Sequence, residues 1–587
     1  MRRRYTAWLV CSGAAIAGCL SDRELDLRRS WPADHDDVAD VSAGMGPTQL
    51  RPELGATVSQ DDPPPPISGG TLAVIDDREA IAADPDRDLV YIVDHVEFSL
   101  RATIPLRRHD EPGRIAIDPE GRRAFVALRR GGAVVSIDLV ERKVTSRIDV
   151  CPLPRGIAWD AKVSEVIVAC AGGELVTVDA SFVSKTTRTI GLDDLRDVVV
   201  TSKGTFVSTF RTAELVRLDA SGGYSRVALP QVPNGTRRVA WRTLAAAPPP
   251  DSDEPEVVVV SQESGDTLVD RPAEYYGTGP GIGPGAVVNV GGKDFPVSAV
   301  LPVDVAVSEY EITVVSAGNS RSPYLPAVLR FARRGAAFGF DGWRPRDEPA
   351  EITSVAYTED RRLLALSREP ARLYEVSSRA LAPRVDLSAI SRHDTGHAIF
   401  HTSSGRGIAC ASCHPEGRDD GNAWRSTELG PRRTPSLLGT IASTAPYHWN
   451  GEAPDMRALV DMTFVSRMQG PPLDDDQTFA LEHWLPPLAA ARPADTAAVD
   501  RGKALFESER GRCATCHAGA ARTNNQTVNV KTGGAFQVPS LVNVGFRAPY
   551  LHDGSVGSIA ELVLEGHGDN VLTPSEAADV TTYVRTF

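Results

Sequence analysis

The sequence predicts a multidomain protein in which a seven-bladed, all-β propeller precedes two smaller, mainly α-helical domains. A strand-rich unit recurs about every 40 residues, a cysteine motif occurs twice near the end, and 587 residues are too many for one core. The predicted ranges are 1–19 for a signal peptide, 20–70 for a disordered tether, 71–385 for the propeller, and 390–490 and 495–587 for the helical domains.

The composition is that of a soluble globular protein, with 42% apolar and 24% charged residues. The formal net charge of −14 argues against nucleic acid or an anionic lipid surface as the main partner. The chain begins with three arginines after Met1 and continues with an apolar run as far as Ala17. This pattern is typical of a secretion signal and is too short for a membrane-spanning helix.

The end of that run, Ile16-Ala17-Gly18-Cys19, resembles a bacterial lipobox, in which the cysteine becomes the lipid-modified first residue of the mature protein. We therefore expect Cys19 to be a lipid anchor; the alternative is an ordinary secretion signal with Cys19 as a bystander. Residues 20–70 are acidic, poor in aromatic side chains and contain four consecutive prolines, so we expect a disordered or extended tether.

Between residues 71 and 385, short β-branched runs alternate with Asp, Gly and Pro turns. Copies of one unit begin near Ala80, Arg114, Gly156, Asp197, Val239, Val303 and Thr353. A period of about 40 residues with three or four strands per unit is typical of propeller blades. Residues 71–76 form an additional strand, which we expect to close the ring by joining the last blade. Cys151 and Cys170 are either a disulfide or two separately buried thiols.

The last third of the chain contains Cys410-Ala-Ser-Cys413-His414 and, 103 residues further on, Cys513-Ala-Thr-Cys516-His517. Two cysteines separated by two residues and followed by histidine can form thioethers with the vinyl groups of a haem, and the histidine then becomes the proximal iron ligand. We therefore predict two covalently bound c-type haems. The alternative is a zinc site or a pair of disulfides, but the two halves of a zinc site usually lie about 15 to 20 residues apart.

The surroundings of the two motifs are also duplicated. A predicted helix start with a glycine precedes each motif, and Pro-Ser-Leu and then Ala-Pro-Tyr follow each one. The duplicated positions are Gly396 and Gly502, Pro435 and Pro539, and Ala445 and Ala548. An internal repeat of this length predicts two domains of the same fold.

These features resemble the two-domain, di-haem bacterial cytochrome c peroxidases and their relatives, which include the enzyme that matures methylamine dehydrogenase. The matching stretches are Arg432-Arg433-Thr434-Pro435-Ser436-Leu437, Tyr447-His448-Trp449-Asn450-Gly451 and Ala548-Pro549-Tyr550-Leu551-His552-Asp553-Gly554. The resemblance covers about a third of the chain and implies two cytochrome c domains. It further implies that one haem takes up peroxide while the other receives electrons from a small donor protein. The propeller repeats resemble a surface-protein type often fused to c-type cytochromes.

One family feature is missing. In relatives, a Glu after the Trp-x-Gly motif acts as general acid or base at the peroxide-binding haem, but the corresponding residues 465–470 contain no carboxylate. Loss of such a group lowers the rate by a factor of about 10² to 10⁴. The carboxylates that could substitute for it are Glu452, Asp455 and Asp461. Met468 or Met462 could instead ligate the first iron and close its sixth position.

The family's electron-transfer haem usually takes Met as its sixth ligand, but no Met follows Met468 in this chain. His567, 50 residues after His517, is our first choice for that position, and His552 is the alternative. Alternatively, His552 bonds a backbone or propionate group and His567 is a solvated loop residue. A second haem with two histidine ligands would have a low potential and a Met-ligated first haem a higher one, which would reverse the family's order.

Five further side chains invite a functional interpretation. His393, His397 and His401 recur every four residues, so on a helix they form one stripe. The stripe is either a metal site or a partly exposed face that packs near the haem edge. Trp449 and Trp484 are candidates for the electron path between the haems, although burial alone would also explain them.

The sequence therefore predicts a secreted di-haem c-type cytochrome, lipid-anchored to the bacterial outer membrane, that acts as an oxidoreductase or electron carrier in the periplasm or at the cell surface. The propeller would be a docking platform or a shell over the haem domains. One alternative is a hydrogen-peroxide-reducing cytochrome c peroxidase. Another is a surface interaction protein whose haems serve as a relay or sensor. The expected partners are a small redox protein or another electron donor or acceptor, together with hydrogen peroxide in the peroxidase alternative.

Overall fold

The computed structural model describes residues 52–587 except 220–221, 231–236, 247, 249–254, 265–284, 298, 323–324, 334–340, 344–349, 378–380, 427–429, 440 and 486–495. The expected signal peptide, Cys19 and residues 20–51 of the expected tether lie outside the described residues. Of the helices in the described ranges, none has the length and apolar character that crossing a bilayer requires.

Seven antiparallel sheets of four strands follow one another along the chain, which confirms the seven-bladed propeller. The strands of blades 1 to 4 are Leu72–Val74, Glu79–Asp84, Leu89–Asp94, Ser99–Pro105; Pro112–Ile117, Arg123–Leu128, Ala133–Asp138, Lys143–Asp149; Pro154–Asp160, Glu165–Cys170, Glu174–Asp179, Lys185–Thr189; and Leu195–Thr201, Gly204–Thr209, Leu215–Leu218, Tyr224–Arg226. Those of blades 5 to 7 are Arg237–Ala246, Glu256–Ser264, Gly285–Val290, Lys293–Val297; Asp304–Val307, Glu311–Val315, Val328–Ala332, Asp341–Trp343; and Ile352–Tyr357, Leu363–Ser367, Arg372–Val376, Leu381–Asp386. The first strands of neighbouring blades contact one another, so they line the central axis.

Alternation of side chains along each inner strand builds the propeller core. In the third strand of blade 1, Val90 and Ile92 enter the core shared with blade 2, whereas Tyr91 and Val93 enter the core shared with blade 7. Successive residues of a strand point to opposite faces, so a strand with a sheet on each side is apolar throughout. The outermost strand of blade 3, Lys185–Thr189, is exposed along its whole length and is correspondingly polar.

The ring closes differently from the expectation. Leu72–Val74 pairs with Glu79–Asp84 as the innermost strand of blade 1, not with the last blade. Blades 1 and 7 instead meet through side chains in a shared apolar core, and the amide of Thr71 donates to Ser354 Oγ at 2.8 Å. The sequence repeat near Ala80 coincides with the second strand of its blade. The first strand, Leu72–Val74, therefore looks like an extra strand in the sequence.

Cys151 and Cys170 form a disulfide, with Cα atoms 6.4 Å apart. The bond joins the end of the second strand of blade 3 to the segment that enters that blade, and both residues lie in the core between blades 2 and 3. Of the two alternatives that the sequence left open, the structure therefore has the disulfide.

The region after the propeller is largely helical. Its α-helices in the described residues are α1 (Thr395–His401), α2 (Cys410–Cys413), α3 (Met456–Leu459), α4 (Asp475–Trp484), α5 (Thr496–Glu507), α6 (Ile559–Leu564) and α7 (Pro574–Val584). A π-helix, Val460–Arg467, continues α3. Two-stranded sheets of Ala423–Ser426 with Gly430–Arg433, and of Thr527–Val528 with Phe536–Gln537, occupy corresponding places after the two cysteine motifs. Short 3₁₀ turns of this region lie at Pro415–Gly417, Ile441–Ser443, Cys513–Thr515, Val544–Phe546 and His567–Asp569. Another, Ala317–Asn319, belongs to blade 6 of the propeller.

The duplication is visible in how the helices cross. α1 packs on α4, and α5 packs on α7. Each crossing has a glycine at the contact: a Cβ on Gly396 would lie 2.1 Å from the carbonyl oxygen of Ala480, and one on Gly502 would lie 2.1 Å from that of Asp579. Only glycine allows this approach of two backbones, which is why a glycine marks both helix starts in the sequence.

Residues 52–70 differ from the predicted tether. Their segment runs between the propeller and the first helical region, where the amide of Ile67 donates to His401 Nε2 at 3.2 Å and Trp484 Nε1 donates to the carbonyl of Pro64 at 2.9 Å. Leu54 and Ile67 are buried. A segment with few apolar residues is expected to be disordered when it must fold alone. This segment is instead covered by the propeller on one side and by the first helical region on the other.

The first helical region docks on one face of the propeller. In each blade, the start of the first strand and the loop between the second and third strands lie at the same end of the antiparallel sheet. Together these ends form the face on which the helical region docks. Gln262 Nε2 donates to the carbonyl of Ser412 at 2.6 Å, and the amide of Ser403 donates to Gly318 at 2.7 Å. One apolar core includes Val314 of blade 6 together with side chains of α1, α4 and the π-helix.

Candidate haem centres

The first motif is held in a short helix with a fixed imidazole orientation. In α2, the amide of Ala409 donates to Ser412 Oγ at 3.0 Å, and the amide of His414 donates to the carbonyl of Cys410 at 2.9 Å. His414 Nδ1 donates to the carbonyl of Arg418 at 3.1 Å. The backbone therefore uses the Nδ1 proton, and Nε2 keeps its lone pair for a metal, which is how haem histidines are usually oriented.

The first site is half-buried, and the removal of its groups from water keeps them neutral. Burial raises the pKa of the Cys410 thiol to about 12 and lowers the pKa of His414 to about 4. Neutral imidazole is the form that binds iron. Cys410 and Cys413 are not in a disulfide.

The second motif lies in a more open setting. Cys513–Thr515 forms a single 3₁₀ turn, and His517 Nδ1 donates to the carbonyl of Arg522 at 3.3 Å, as His414 does to Arg418. Cys513, Cys516 and His517 line a cavity of about 290 Å³ between the two halves of the helical region. Both motifs thus present the same donor set, two thiols and one imidazole whose Nδ1 proton is donated to a main-chain carbonyl.

His567 lines the same cavity as His517. Its Nδ1 is buried and has no hydrogen-bond partner among the residues that the structure describes. Burial, and after it the charge of His567, lower the pKa of His517 to about 4, which reflects how close the two rings are. The structure therefore brings together the two imidazoles that were predicted to ligate the second iron. A buried imidazole nitrogen without a partner fits a haem in this cavity.

His552, the alternative ligand, also faces the cavity but belongs to an aromatic cluster. Its ring stacks on Phe536 with centroids 4.0 Å apart and meets the edge of Trp449 at 6.3 Å. Its Nδ1 is buried without a hydrogen-bond partner in the described part of the chain. Aromatic contacts on two sides fix this ring, whereas His567 lies on a short turn between two glycines.

Two methionines were proposed for the first iron, and their environments differ. Met468 is buried in the core against which Cys410 packs, whereas Met462 is 38% exposed. Met456, at the start of α3, is buried in the same core and was not singled out in the sequence. A helical stretch that carries methionines on several faces does not reveal which of them will turn inward.

The three candidate acids are also distinguished by the structure. Asp455 caps α3 by accepting from the amide of Ala458 at 2.8 Å, and Asp461 is exposed. Glu452 Oε1 accepts from His448 Nδ1 at 2.9 Å. This hydrogen bond, and then the charge of His448, lower the pKa of Glu452.

His448 is a residue that sequence reasoning passed over, although it stands in the motif that carries the family resemblance. It lines the cavity between the two helical halves, and its charge, after burial, contributes to the lowered pKa of His414. Its backbone is left-handed, with φ +68°, which is uncommon for a residue other than glycine. Strained backbone of this kind occurs more often at functional positions than elsewhere.

Of the histidine stripe, His397 and His401 lie in α1 and are buried, whereas His393 precedes the helix and is half-buried. His397 and His401 have ring centroids 4.1 Å apart, and both pack against Trp484. Burial lowers the pKa of His401 to about 3. No group of three or more His, Cys, Asp or Glu side chains in the described ranges could hold a metal ion, which leaves the metal-site interpretation of the stripe without support.

The two tryptophans have different positions. Trp484 is buried between the histidine stripe and the N-terminal segment, where Phe400 lies 4.6 Å from it. Trp449 lines the cavity and donates from Nε1 to the carbonyl of Arg433 at 2.7 Å. Of the two, Trp449 lines the cavity of the second motif.

A buried charge network joins both helical halves to blade 4. Arg211, from the loop after the second strand of that blade, donates to the carbonyl of Asp419 at 3.1 Å and to that of Ala548 at 3.2 Å. Arg433 lies 2.6 Å from the Asp419 carboxylate and donates to the carbonyl of Arg547 at 2.5 Å. The cavity wall is therefore assembled from both halves and supported by the propeller.

The fold and the paired motifs define the class of this protein: a seven-bladed propeller joined to a duplicated, largely helical unit that carries two Cys-x-x-Cys-His motifs. A similar sequence is the methylamine utilization protein MauG of Methylorubrum extorquens, which is 26% identical over 238 residues, or 29% of this chain and 66% of that protein. The match thus spans just under two thirds of that relative. No family model matches the chain. A C-terminal portion of the chain is thus similar to a di-haem, cytochrome c peroxidase-like protein, and it is fused to the propeller.

Solved structures similar to this chain have low sequence identity. Hydrazine synthase of Kuenenia stuttgartiensis has a TM-score of 0.43 and 15% identity, and the match covers 56% of this chain and 99% of that one. Virginiamycin B lyase of Staphylococcus aureus has a TM-score of 0.38 and 9% identity, covering 53% of this chain and 94% of that one.

Proposed function

We propose that this protein is a secreted di-haem c-type cytochrome that acts as an oxidoreductase through its haem irons. Cys410 and Cys413 would hold the first haem by thioethers, and Cys513 and Cys516 the second. A haem, when bound, supplies a one-electron centre. The observation that carries the proposal is the matching geometry of both motifs, in which Nδ1 of the proximal histidine donates to a main-chain carbonyl and so leaves the lone pair on Nε2.

His414 and His517 would be the proximal ligands, and His567 the sixth ligand of the second iron. Support for His567 is its buried, unpaired nitrogen across the cavity from His517. Met468 would be the sixth ligand of the first iron, because of the two predicted methionines it is the buried one. A donor on each side would make both centres electron carriers.

Trp449 would lie on the electron path between the haems. Its ring contacts His552 and Phe536, and these three rings line the cavity of the second motif. Its Nε1 donor is satisfied by the backbone, so the ring is held in one orientation. The partner that gives or takes electrons would be a small redox protein.

Export and lipid attachment at Cys19 complete the proposal. Thioether attachment of c-type haems takes place outside the cytoplasm, and a disulfide in the propeller is typical of an oxidising compartment. The protein would then be held at the bacterial outer membrane by its lipid, in the periplasm or at the cell surface.

A second candidate function is the reduction of hydrogen peroxide, and the His448–Glu452 pair favours it. Peroxide reduction consumes two electrons, here from the small redox protein, and two protons, and it yields two water molecules. His448, with Nδ1 bonded to Glu452, could take a proton from one peroxide oxygen at Nε2 and return it to the departing oxygen. This pair would replace the Glu that is missing from residues 465–470.

Haem content and spectra test the proposal. The purified mature protein should contain two covalent haems per chain, and serine variants of the cysteines in either motif should contain one. Near-infrared and EPR spectra of the oxidised protein should lose one bis-histidine signal in His567→Ala and one His/Met signal in Met468→Ala. A colourless protein would refute the proposal, and a first haem that is five-coordinate and reacts with peroxide would favour the second candidate.

A further inference from the structure

The axis of the propeller ends against Glu416, two residues after the predicted proximal ligand His414. The Glu416 side chain is buried, at 8% exposure, although it is ionisable. Its carboxylate lies 2.5 Å from Arg196, 2.6 Å from Ser68 Oγ, 3.6 Å from Arg155 and 3.7 Å from Arg129. A carboxylate from the cytochrome unit is therefore inserted into a group of arginines that belong to the propeller.

The arginines around Glu416 are not equivalent. Arg155 lies 2.6 Å from Asp194, and Arg129 is paired with Glu111, so each has a carboxylate partner within the propeller. Arg196 is fully buried, makes its closest ion pair with Glu416, and donates to the carbonyl of Trp241 at 2.8 Å. The Arg196–Glu416 pair is thus a charge pair across the interface, out of reach of solvent screening.

The second motif shows what this position looks like without the propeller. The residue that corresponds to Glu416 is Gly519, which is exposed, and a Cβ on it would meet nothing within 4 Å. Both residues have left-handed backbone, with φ +56° at Glu416 and +70° at Gly519. Glycine adopts that conformation freely, whereas for Glu it costs about 1–3 kcal/mol. The first copy therefore carries a strained residue whose side chain makes specific contacts.

A second contact reaches the same motif from the propeller. Gln262 of blade 5 is buried and donates to the carbonyl of Ser412, within the first cysteine motif. The corresponding residue of the second copy, Thr515, is exposed. Four propeller side chains thus contact the segment 412–416, while the corresponding end positions of the second copy, Thr515 and Gly519, are exposed.

We propose that the Arg196–Glu416 ion pair makes the propeller an electrostatic control of the first haem, so that the propeller sets the potential of this haem relative to that of the second. The inference rests on the proposed presence of two haems. One-electron reduction lowers the positive charge of the iron, so a nearby carboxylate favours the oxidised state and a nearby guanidinium favours the reduced state. In a buried site these effects are larger than at the surface.

Opposite shifts from the two partners test the proposal. Glu416→Gln keeps the shape and one acceptor oxygen but removes the negative charge, so the midpoint potential of the first haem should rise. Arg196→Gln should lower it. Each change should alter the ratio of reduced to oxidised first haem, measured at a fixed electrode potential, by about tenfold, because a buried unit charge is only weakly screened. Dithionite titration with redox mediators, followed by absorbance, measures both haems.

Three controls make the result decisive. The second haem in the same molecule should keep its potential, and Arg196→Lys, which keeps the charge, should shift the first haem much less than Arg196→Gln. Glu214→Gln and Arg226→Gln alter an exposed ion pair of blade 4 and should shift neither haem. If both partner variants move the first haem in the same direction, move it not at all, or move both haems equally, the proposal is wrong. A protein without haem would refute the proposed function instead.

Discussion

The imidazole of His448 and the carboxylate of Glu452 are joined by a hydrogen bond of 2.9 Å, at the wall of the cavity between the two helical halves. A carboxylate that accepts from Nδ1 fixes the tautomer of an imidazole and supports its action as a base at Nε2. The pair thus has the composition of an acid–base couple, although it lies outside the six residues where the family's acid was expected.

Glu452→Gln should lower the rate at which the half-reduced protein consumes hydrogen peroxide by about 10² to 10⁴, if the second candidate function is correct. His448→Phe should lower it as much, because the two side chains act as one unit. Stopped-flow absorbance of the haem bands measures the rate. Asp461→Asn is the matched control, since Asp461 is an exposed carboxylate of the same region. Equal losses in the control and in Glu452→Gln would exclude a specific role for the pair.

Acid should destabilise the interface through His401. Its pKa is lowered to about 3 by burial, whereas an unfolded histidine has a pKa of about 6.5. Between these values the unfolded chain binds the proton and the folded chain does not, so stability is lost as pH falls from about 6.5 towards 3. His401→Gln, which keeps an acceptor for the amide of Ile67, should reduce this slope by up to about 1.4 kcal/mol per pH unit.

Denaturant unfolding at several pH values between 7 and 4 measures that slope. The control is His483→Gln, because His483 is an exposed histidine on the neighbouring helix α4. An unchanged slope in His401→Gln, or an equal reduction in both variants, would show that His401 does not contribute in this way.

Gly502→Ala should destabilise the second helical half. The new methyl group would lie 2.1 Å from the carbonyl oxygen of Asp579, so α5 and α7 would have to move apart. Overpacking of this kind costs about 1–3 kcal/mol. Thermal unfolding monitored at the haem bands of the second centre measures it. At Gly557 an added Cβ would meet only a flexible Glu561 side chain at 3.4 Å, so Gly557→Ala should change the midpoint little.

Residues 52–66 should be needed for stable docking of the first helical half. Replacing them with a Gly/Ser linker of equal length keeps a carbonyl for Trp484 Nε1 but removes the buried Leu54 side chain, and each proline lost destabilises the folded state by about 0.4–1 kcal/mol, because the unfolded chain gains freedom. We expect faster proteolysis near α1 and a lower unfolding temperature. Replacing the exposed hairpin residues 161–164 in the same way serves as control. Equal resistance of all three proteins would mean that the segment behaves as the tether that composition predicts.

The fold was predictable because it consists of repeats. Each blade repeats a strand pattern, and residues such as Val90 and Tyr91 alternate between two cores, so local sequence carries the architecture. The strand Leu72–Val74 was placed in the wrong blade because strand pairing depends on which neighbour is nearest in space. Similarly, composition predicted a tether over residues 20–70, but Ile67 is ordered by surfaces that come from distant parts of the chain.

What the sequence by itself determined is the chemistry that is written within a few residues: two Cys-x-x-Cys-His motifs, their duplication and the blade period. What only the tertiary structure decided is which side chains meet from far apart in the chain, including Arg196 with Glu416 and His567 with His517. The physical reason is that a covalent motif needs only local spacing, whereas a buried charge pair or a distal ligand depends on how separate elements pack.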